Sequence, residues 1–505
     1  MPAVRLPAEA HTIVIGGGTG GAACAGLLTE QSSDSVLLLE SGPDYGAFAG
    51  GQWPADVLDA RTIPLSHDWG LAAKPSLNGA ATHLPRARVL GGCSSHNGCS
   101  AAFGARADYD DWAYQGNDGW EAEAVEPMLR WVHSRFRVRR CGESDLTVAQ
   151  SAFVAAGRHI GLPFADDLDD LDAAVGIGPM PVNVHAGVRW NAAFAFLAPV
   201  RDAPHLTVVG DTTVRRVLLK NRAVVGVEVD RNDGVHTVRA DRVIVAAGAY
   251  HSPVLLMRSG VGPADELRIH GIKAEVDLPG VGRHLLDHPC VQLYFQGRDG
   301  LFPEMALSPW HPDEQVVGRA KSLLCDDGPY DIHVLVVAGS GRDRFSPSKV
   351  SLFGGAMRAI SEGRVTLRDS HPGSPPVIDH RYTSDPSGHD RNVLAEAEGL
   401  LHRLASDPGL ASVLGASALN VPRREASYHH PAGTCKMGPS YDRLAVVDPH
   451  AAVHGVSGLY VADASIMPSI TRTGINLPTA MIGAHVAADI LKLSVSEAVL
   501  SSTLS

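Results

Sequence analysis

Three glycines and a glutamate near the start of the chain have the types and the spacing needed to hold a dinucleotide. Gly16, Gly18 and Gly21 follow an apolar run. In such a pattern the first glycine allows a tight turn, the second lets backbone approach a pyrophosphate, and the third lets a helix pack closely on a strand. Glu40 ends the next apolar run, roughly 20 residues on, where a carboxylate that binds a ribose hydroxyl is expected. These residues predict a dinucleotide site, and NAD and FAD both fit it.

A strand, a helix and a second strand are needed to position these residues. The apolar run at 13–15 predicts the first strand, and residues 18 to about 30 predict the helix. The N-terminal N–H groups and the dipole of that helix would face the phosphates. The run at 36–39 predicts the next strand, and β-branched residues that alternate between 206 and 248 predict more of the same sheet.

The composition limits the kinds of partner. The formal net charge is −12, from 43 basic and 55 acidic residues, and it disfavours nucleic acid. No apolar run approaches the roughly 18 residues of a membrane helix, and residues 1–10 lack the features of a signal peptide. The seven cysteines have no spacing suited to zinc or to a redox pair. We therefore expect a cytoplasmic protein with no metal, no membrane partner and no nucleic acid, and the oligomeric state stays open.

Several later segments carry a resemblance to a known family. Further glycine-rich segments at 91–92 and 280–282 favour an enclosed cofactor such as FAD. Residues 248–262 match the second signature of the glucose-methanol-choline flavoprotein oxidoreductases over fifteen positions. Residues 279–289 resemble the next flavin-facing loop of that family, and residues 430–438 resemble its catalytic loop. The resemblance extends over nearly the whole chain and implies FAD as the cofactor.

Two domains are expected, because 505 residues are too many for one compact core. Strand patterns at 332–337 and 350–353, with an amphipathic helix at 390–405, indicate a second unit of sheet and helix. We predict an α/β and α+β fold, in which a Rossmann-like FAD-binding domain carries a mixed-sheet substrate-binding domain. The FAD-binding domain is assigned residues 1–145, 190–292 and 428–505, and the substrate-binding domain residues 146–189 and 293–427.

The resemblance implies that FAD extends well beyond the glycine turn. Residues 88–97 are similar to the first family signature, but His96 stands where an aliphatic residue is usual. Members similar to choline oxidase have a histidine here that bonds covalently to the flavin 8α-methyl carbon, and a neutral imidazole nitrogen can form such a bond. The alternative is a packed histidine that only contacts the ring. The resemblance also assigns Arg88, Gly92, Asn97, Val214, Asp463 and Ala464 to FAD.

The catalytic residues are also implied by the resemblance. His430 occupies the catalytic position, and histidine is suited to remove a hydroxyl proton beside the flavin. His429 is expected to have a structural role. The family's second catalytic residue, a histidine or asparagine, is replaced here by Gly474, and Asn476 follows two residues later. Either Asn476 substitutes through a shifted loop, or Arg472, Thr473, the substrate or water supplies the second group, so His430 is expected to carry more of the base role alone.

The function that the resemblance implies is FAD-dependent oxidation of an alcohol. The expected partners are a small-molecule alcohol, primary in type, and oxygen or another electron acceptor; the product is the aldehyde, with onward oxidation to the acid left open. A choline-like or amino-sugar substrate is compatible with the acidic balance, and Glu304 and Trp310 lie in a plausible region without forming a motif. The alternatives are a lyase of the hydroxynitrile lyase type on the same fold, and a nicotinamide enzyme.

Overall fold

Two large sheets form the framework of the protein. The computed structural model describes residues 4–64, 66–74, 82–172, 175–307, 316–338, 349–415 and 426–501. Within these residues the strands of the two sheets are β1 (Glu9–Ile15), β2 (Val36–Leu39), β3 (Gly176–Pro179), β4 (Leu206–Val209), β5 (Thr213–Lys220), β6 (Ala223–Arg231), β7 (Gly234–Val245), β8 (Pro289–Phe295), β9 (Val316–Ala320), β10 (Ile332–Ala338), β11 (Val350–Ala356), β12 (Ala426–Ser427) and β13 (Leu459–Val461).

Helices cover and connect these sheets. In the described residues they are α1 (Thr19–Gln31), α2 (Ala55–Leu58), α3 (Arg106–Tyr114), α4 (Ala122–Arg135), α5 (Val148–His159), α6 (Gly248–Arg258), α7 (Ala264–Ile269), α8 (Leu301–Met305), α9 (His389–Ala405), α10 (Pro408–Leu414), α11 (Asn476–Leu491) and α12 (Val495–Ser501). No helix in the part of the chain that the structure describes is long and apolar enough to cross a membrane.

The first sheet contains the strands predicted around the glycine turn and between 206 and 248, and it is mixed. Its order is β4-β2-β1-β7-β6-β5, and β13 pairs with the end of β7. Strands β4, β2, β1, β7 and β13 are parallel, whereas β5 and β6 extend the sheet as antiparallel strands. Every residue of β2 is buried, as expected for a strand covered on both faces. The parallel strands therefore bring their carboxyl ends to one edge, where ligands bind in open α/β sheets.

The glycine turn after β1 shows why its residues are small. Gly16 has a φ of +100°, and a Cβ on it would lie 2.4 Å from the carbonyl oxygen of Ala246. A Cβ on Gly21 would lie 1.9 Å from the carbonyl oxygen of Gly16, so only glycine lets α1 approach β1 this closely. By contrast, a Cβ on Gly18 would meet only the Cα of Gly92, at 3.7 Å. Gly18 therefore borders open space at the start of α1.

The second sheet has its own hydrophobic core, and its described strands pair only in the antiparallel sense rather than as the mixed sheet predicted for it, because apolar strand patterns do not reveal strand direction. Its order is β12-β8-β11-β10-β9-β3. Buried residues of α5, α9 and α10 pack on it, and they form a cluster separate from the core of the first sheet. The predicted division at 292/293 falls within β8, and the division of the chain into two domains stays a prediction.

Candidate active site

A cavity of about 760 Å³ lies between the carboxyl edge of the first sheet and the second sheet. Gly16 and Glu40 line it from the first sheet, and Gln292, Leu335 and Phe353 line it from the second. Ten of the eleven predicted cofactor residues face this cavity, namely Gly16, Gly18, Glu40, Arg88, Gly92, His96, Asn97, Val214, Asp463 and Ala464. Gly21 does not, because it packs against Gly16 behind the turn. The two predicted catalytic residues, His430 and Asn476, also line the cavity.

The buried carboxylate of Glu40 fixes the turns around the nucleotide end of the cavity. One oxygen accepts from the backbone N–H of Gly17 at 2.9 Å, and the other accepts from Gly42 at 2.8 Å. Burial raises the pKa of Glu40 to about 7. Each carboxylate oxygen has a second lone pair, so both backbone bonds are compatible with the predicted ribose contact.

Asp463 connects the end of β13 to the start of α6. Its carboxylate accepts from the backbone N–H of Gly248 at 2.8 Å, from the hydroxyl of Ser252 at 2.5 Å and from the backbone N–H of Ser465 at 2.8 Å. These donors engage both oxygens. Asp463 therefore shapes the cavity wall, and its predicted contact with the ribityl or pyrophosphate part of FAD stays a prediction.

His96 presents an uncharged ring to the cavity. It follows a short turn at Gly92–Ser95 and is only 7% exposed. Burial, together with Arg86 and Arg189, lowers the pKa of His96 to about 3. No residue in the described ranges hydrogen-bonds the ring, which leaves its nitrogens available to a ligand.

His430 is held by two neighbours in the segment just before β8. Its backbone N–H donates to the carboxylate of Asp287 at 2.9 Å, and its ring Nδ1 lies 3.0 Å from Nδ1 of His288. Burial, and then His288, lowers the pKa of His430 to about 3, against an opposing effect of Asp287. The ring is therefore neutral at physiological pH and able to accept a proton.

Asp287 is a charged group in the core beneath His430. Its carboxylate also accepts from the hydroxyl of Tyr382 at 2.6 Å and from the hydroxyl of Ser427. Burial acts to raise the pKa of Asp287, but His380 and these hydroxyl donors outweigh it and lower the pKa to about 2. The carboxylate is therefore ionised and holds the loop that carries His430.

The residue that faces His430 across the cavity is Gly474. A Cβ on Gly474 would lie 3.7 Å from Nε2 of His430 and 3.3 Å from Oγ of Ser100. Asn476, two residues later, instead accepts from the hydroxyl of Thr19 at 3.1 Å, at the start of α1, and its Nδ2 is buried without a partner. Its amide therefore contacts the cofactor end of the cavity, and its predicted catalytic role stays a prediction.

The other two residues considered for the second catalytic group, Arg472 and Thr473, point away from the space between Gly474 and His430, which we call the gap. The side chain of Arg472 is fully buried, forms an ion pair with Asp108 and with Asp327, and does not line the cavity. The methyl group of Thr473 faces Gly104. Arg472 therefore fixes the loop before α11 rather than facing His430.

Four residues of the site were missed from the sequence. Asp287 and His288 lie inside the motif at 279–289, but that motif was interpreted only as a flavin-facing loop. Arg86 donates to the carbonyl oxygen of His429 at 2.9 Å and lines the cavity. Ser100 also lines it, and no sequence pattern marks either Arg86 or Ser100.

The cavity fits FAD better than a small ligand. It opens at the glycine turn, where Gly18 borders open space and the backbone of Gly92 packs closely on it, and reaches His96 and His430 between the sheets. His96 and Asn476 both line this cavity, and the buried Nδ2 of Asn476 has no hydrogen-bond partner in the described residues, as expected of a donor to a polar cofactor. The fold and site thus define a flavin-dependent oxidoreductase with a histidine beside its substrate cavity.

The chain belongs to the GMC oxidoreductase family. The family models match residues 10–290 and residues 359–483. The oxygen-dependent choline dehydrogenase of Brucella canis is 34% identical over 527 residues, which cover 94% of this chain and 94% of that protein. The predicted family, the flavoenzyme fold and FAD as the cofactor are confirmed.

Solved structures show the same architecture. Pyridoxine 4-oxidase from Mesorbium loti superposes with a TM-score of 0.83 at 25% identity, over 96% of this chain and 99% of that one. Formate oxidase of Aspergillus oryzae superposes with a TM-score of 0.82 at 22% identity, over 97% and 99%. These proteins act on different substrates, so the fold does not by itself define the substrate.

Proposed function

We propose that this enzyme oxidises a primary alcohol to the aldehyde, with His430 as the base for the hydroxyl proton. The observation that carries the proposal is the neutral His430 ring, whose Nε2 faces the gap at Gly474 inside the FAD cavity. FAD, when bound, accepts the hydride from the carbinol carbon. The alcohol proton passes to His430, so both electrons and the proton are accounted for.

The pairing with His288 requires that one of the two Nδ1 atoms donates and the other accepts, and we infer that Nδ1 of His430 is the donor. Nε2 of His288 is buried without a hydrogen-bond partner, and burial lowers the pKa of this ring to about 4 although the backbone of Thr471 and Met357 acts to raise it. A proton on Nε2 leaves Nδ1 of His288 as an acceptor, so Nδ1 of His430 donates to it. Nε2 of His430 is then unprotonated where the substrate binds.

The wall formed by the second sheet favours an uncharged substrate. It contributes Gln292, Tyr294, Leu335, Val337 and Phe353, and no carboxylate from this sheet lines the cavity in the described residues. Glu304, suggested above for a cationic substrate, instead pairs with Arg298 and is 49% exposed. Trp310 lies outside the described residues. We infer a neutral alcohol with an aromatic or apolar body, such as a hydroxymethyl arene, over a choline-like or amino-sugar substrate.

Anaerobic reduction of the enzyme-bound FAD tests this function. We expect benzyl-type and pyridylmethyl alcohols to bleach the flavin near 450 nm at least roughly tenfold faster than choline at equal concentration, since a quaternary ammonium would lose its hydration with only the rings of Tyr294 and Phe353, and no carboxylate of this wall, to replace it. Admission of oxygen after reduction then shows whether oxygen restores the oxidised spectrum. A flavin that no alcohol bleaches would favour the lyase alternative, and faster reduction by choline would overturn the inferred substrate class.

We further propose that the flavin is attached covalently through His96. The uncharged, unpartnered ring of His96 supports this, because the attacking species is the neutral imidazole. In His96→Asn we expect the yellow cofactor to be released into the supernatant on acid precipitation, whereas it should stay with the wild-type protein. Release of all the flavin from the wild type by acid would show that His96 only contacts the ring.

A further inference from the structure

The gap opposite His430 is a feature of this chain's own sequence. Gly474 is not among the glycines with positive φ, so its backbone conformation does not require glycine. A Cβ at this position would be in ordinary contact with Nε2 of His430, at 3.7 Å, and in close contact with Oγ of Ser100, at 3.3 Å, so a side chain fits once the Ser100 hydroxyl shifts slightly or is removed. Because residue 474 has no side chain, the space next to the ring of His430 is open to a ligand.

The group beside it is the hydroxyl of Ser100. Ser100 Oγ and His430 Nε2 both lie within 4 Å of the point that a Cβ on Gly474 would occupy. In the described residues the Ser100 hydroxyl has no hydrogen-bond partner, and the residue lines the cavity. The Ser100 hydroxyl can therefore donate to, or accept from, a group that binds in front of His430.

The backbone around Ser100 is fixed on both sides. The carbonyl of Cys99 accepts from the N–H of Asn183 at 3.0 Å, and the N–H of Ala101 donates to the carbonyl of Pro181 at 2.9 Å. Cys99 has a φ of +65°, an uncommon conformation for a residue with a side chain, which persists only where the surroundings hold it. Ser100 is thus placed by a rigid segment, as a group that orients a substrate must be.

We propose that Ser100 is a catalytic residue that shares the substrate hydroxyl with His430. Its Oγ–H donates to the alcohol oxygen while Nε2 of His430 accepts the alcohol proton. The serine keeps its own proton and stabilises the negative charge that grows on the oxygen as the proton leaves. Ser100 thereby supplies the second polar group that position 474 lacks. This inference rests on the proposed alcohol oxidation.

The test removes the Ser100 hydroxyl and then asks whether a side chain introduced at position 474 restores the rate of flavin reduction. We expect Ser100→Ala to slow anaerobic flavin reduction at saturating alcohol about 100-fold, the size of effect found when one donor to a developing oxyanion is removed. In Ser100→Ala, Gly474→Asn should then restore the rate at least roughly tenfold, because an amide placed in the gap again donates to the alcohol oxygen. The matched control is Ser100→Ala with Gly474→Ala, which fills the gap without a donor and should give no recovery.

The reduction rates of the variants test the role of Ser100, whereas the reduction of the wild-type flavin tests the alcohol oxidation itself. Flavin content and melting temperature should match the wild type in Ser100→Ala. A reduction rate within twofold of the wild type, or equal rates for the Asn and Ala double variants, would overturn the role of Ser100. If alcohols do not reduce the wild-type flavin at all, the alcohol oxidation itself is refuted.

Discussion

His430→Ala is expected to slow reduction of the flavin by alcohol about 1,000-fold, within the range that a positioned general base contributes. The ring of His430 is the neutral imidazole that faces Gly474, and Asn476 instead accepts from the hydroxyl of Thr19 at the start of α1. Removal of the ring therefore leaves the hydroxyl proton without an acceptor. Stopped-flow absorbance under anaerobic conditions measures the rate.

The control is His402→Ala, since His402 is an exposed histidine of α9 that does not line the cavity. It should leave the reduction rate unchanged.

The wild-type rate should also be flat between pH 5 and 8, because a base with a pKa of about 3 stays unprotonated over that range and loses activity only as the pH falls towards 3. Near wild-type reduction in His430→Ala would contradict the assignment, and a rate that falls below pH 6.5 would indicate an ordinary imidazole pKa.

Local patterns predicted the cofactor end of the molecule well. The close contact of Gly21 with Gly16 lies within one strand-helix unit, and the spacing of the glycines identifies the turn without knowledge of the rest of the fold, although Gly16 also packs on distant Ala246. The strands between 206 and 248 were likewise predicted from their alternating β-branched residues. Even there the sequence did not show that the carboxylate of Asp463 would be engaged by α6, because Gly248 and Ser252 are more than 200 positions away from it.

The catalytic end depended on contacts between distant segments, which a pattern does not reveal. His430 was found only through the family resemblance, and its partner His288 lies 142 positions earlier. Counting along the last loop placed Gly474 at the second catalytic position, and the structure does put Gly474 opposite His430. Ser100, whose hydroxyl borders that space, follows the flavin signature by only a few residues, but it comes directly after the positive φ of Cys99, which no sequence pattern predicted.

Asp287→Asn is expected to lower the free energy of unfolding by about 3 kcal/mol, the lower end of the cost of breaking a buried charged network. The carboxylate is fully buried and accepts from the backbone of His288 and His430 and from two hydroxyls. An asparagine would turn one acceptor oxygen into an NH₂ group that faces donors. Thermal unfolding, followed by circular dichroism in the holoenzyme, measures the loss.

The pH dependence of this contribution has a definite sign. The pKa of Asp287 is lowered from its usual 3.8 to about 2 in the folded protein. Its stabilisation is therefore present above pH 3.8 and is lost as the pH falls towards 2. The difference in stability between the wild type and Asp287→Asn should thus be constant at neutral pH and shrink in acid.

The matched control is Asp265→Asn, which removes a carboxylate that is 87% exposed and pairs with Arg268. Surface ion pairs contribute at most about 1 kcal/mol, so this variant should melt close to the wild type. Asp287→Asn should also reduce the flavin more slowly than Asp265→Asn in the fraction that stays folded, because the neutral amide oxygen accepts more weakly than the carboxylate from the backbone N–H of His430, whose ring lies opposite Gly474. Equal melting temperatures and equal reduction rates for the two variants would show that Asp287 does not support the catalytic loop.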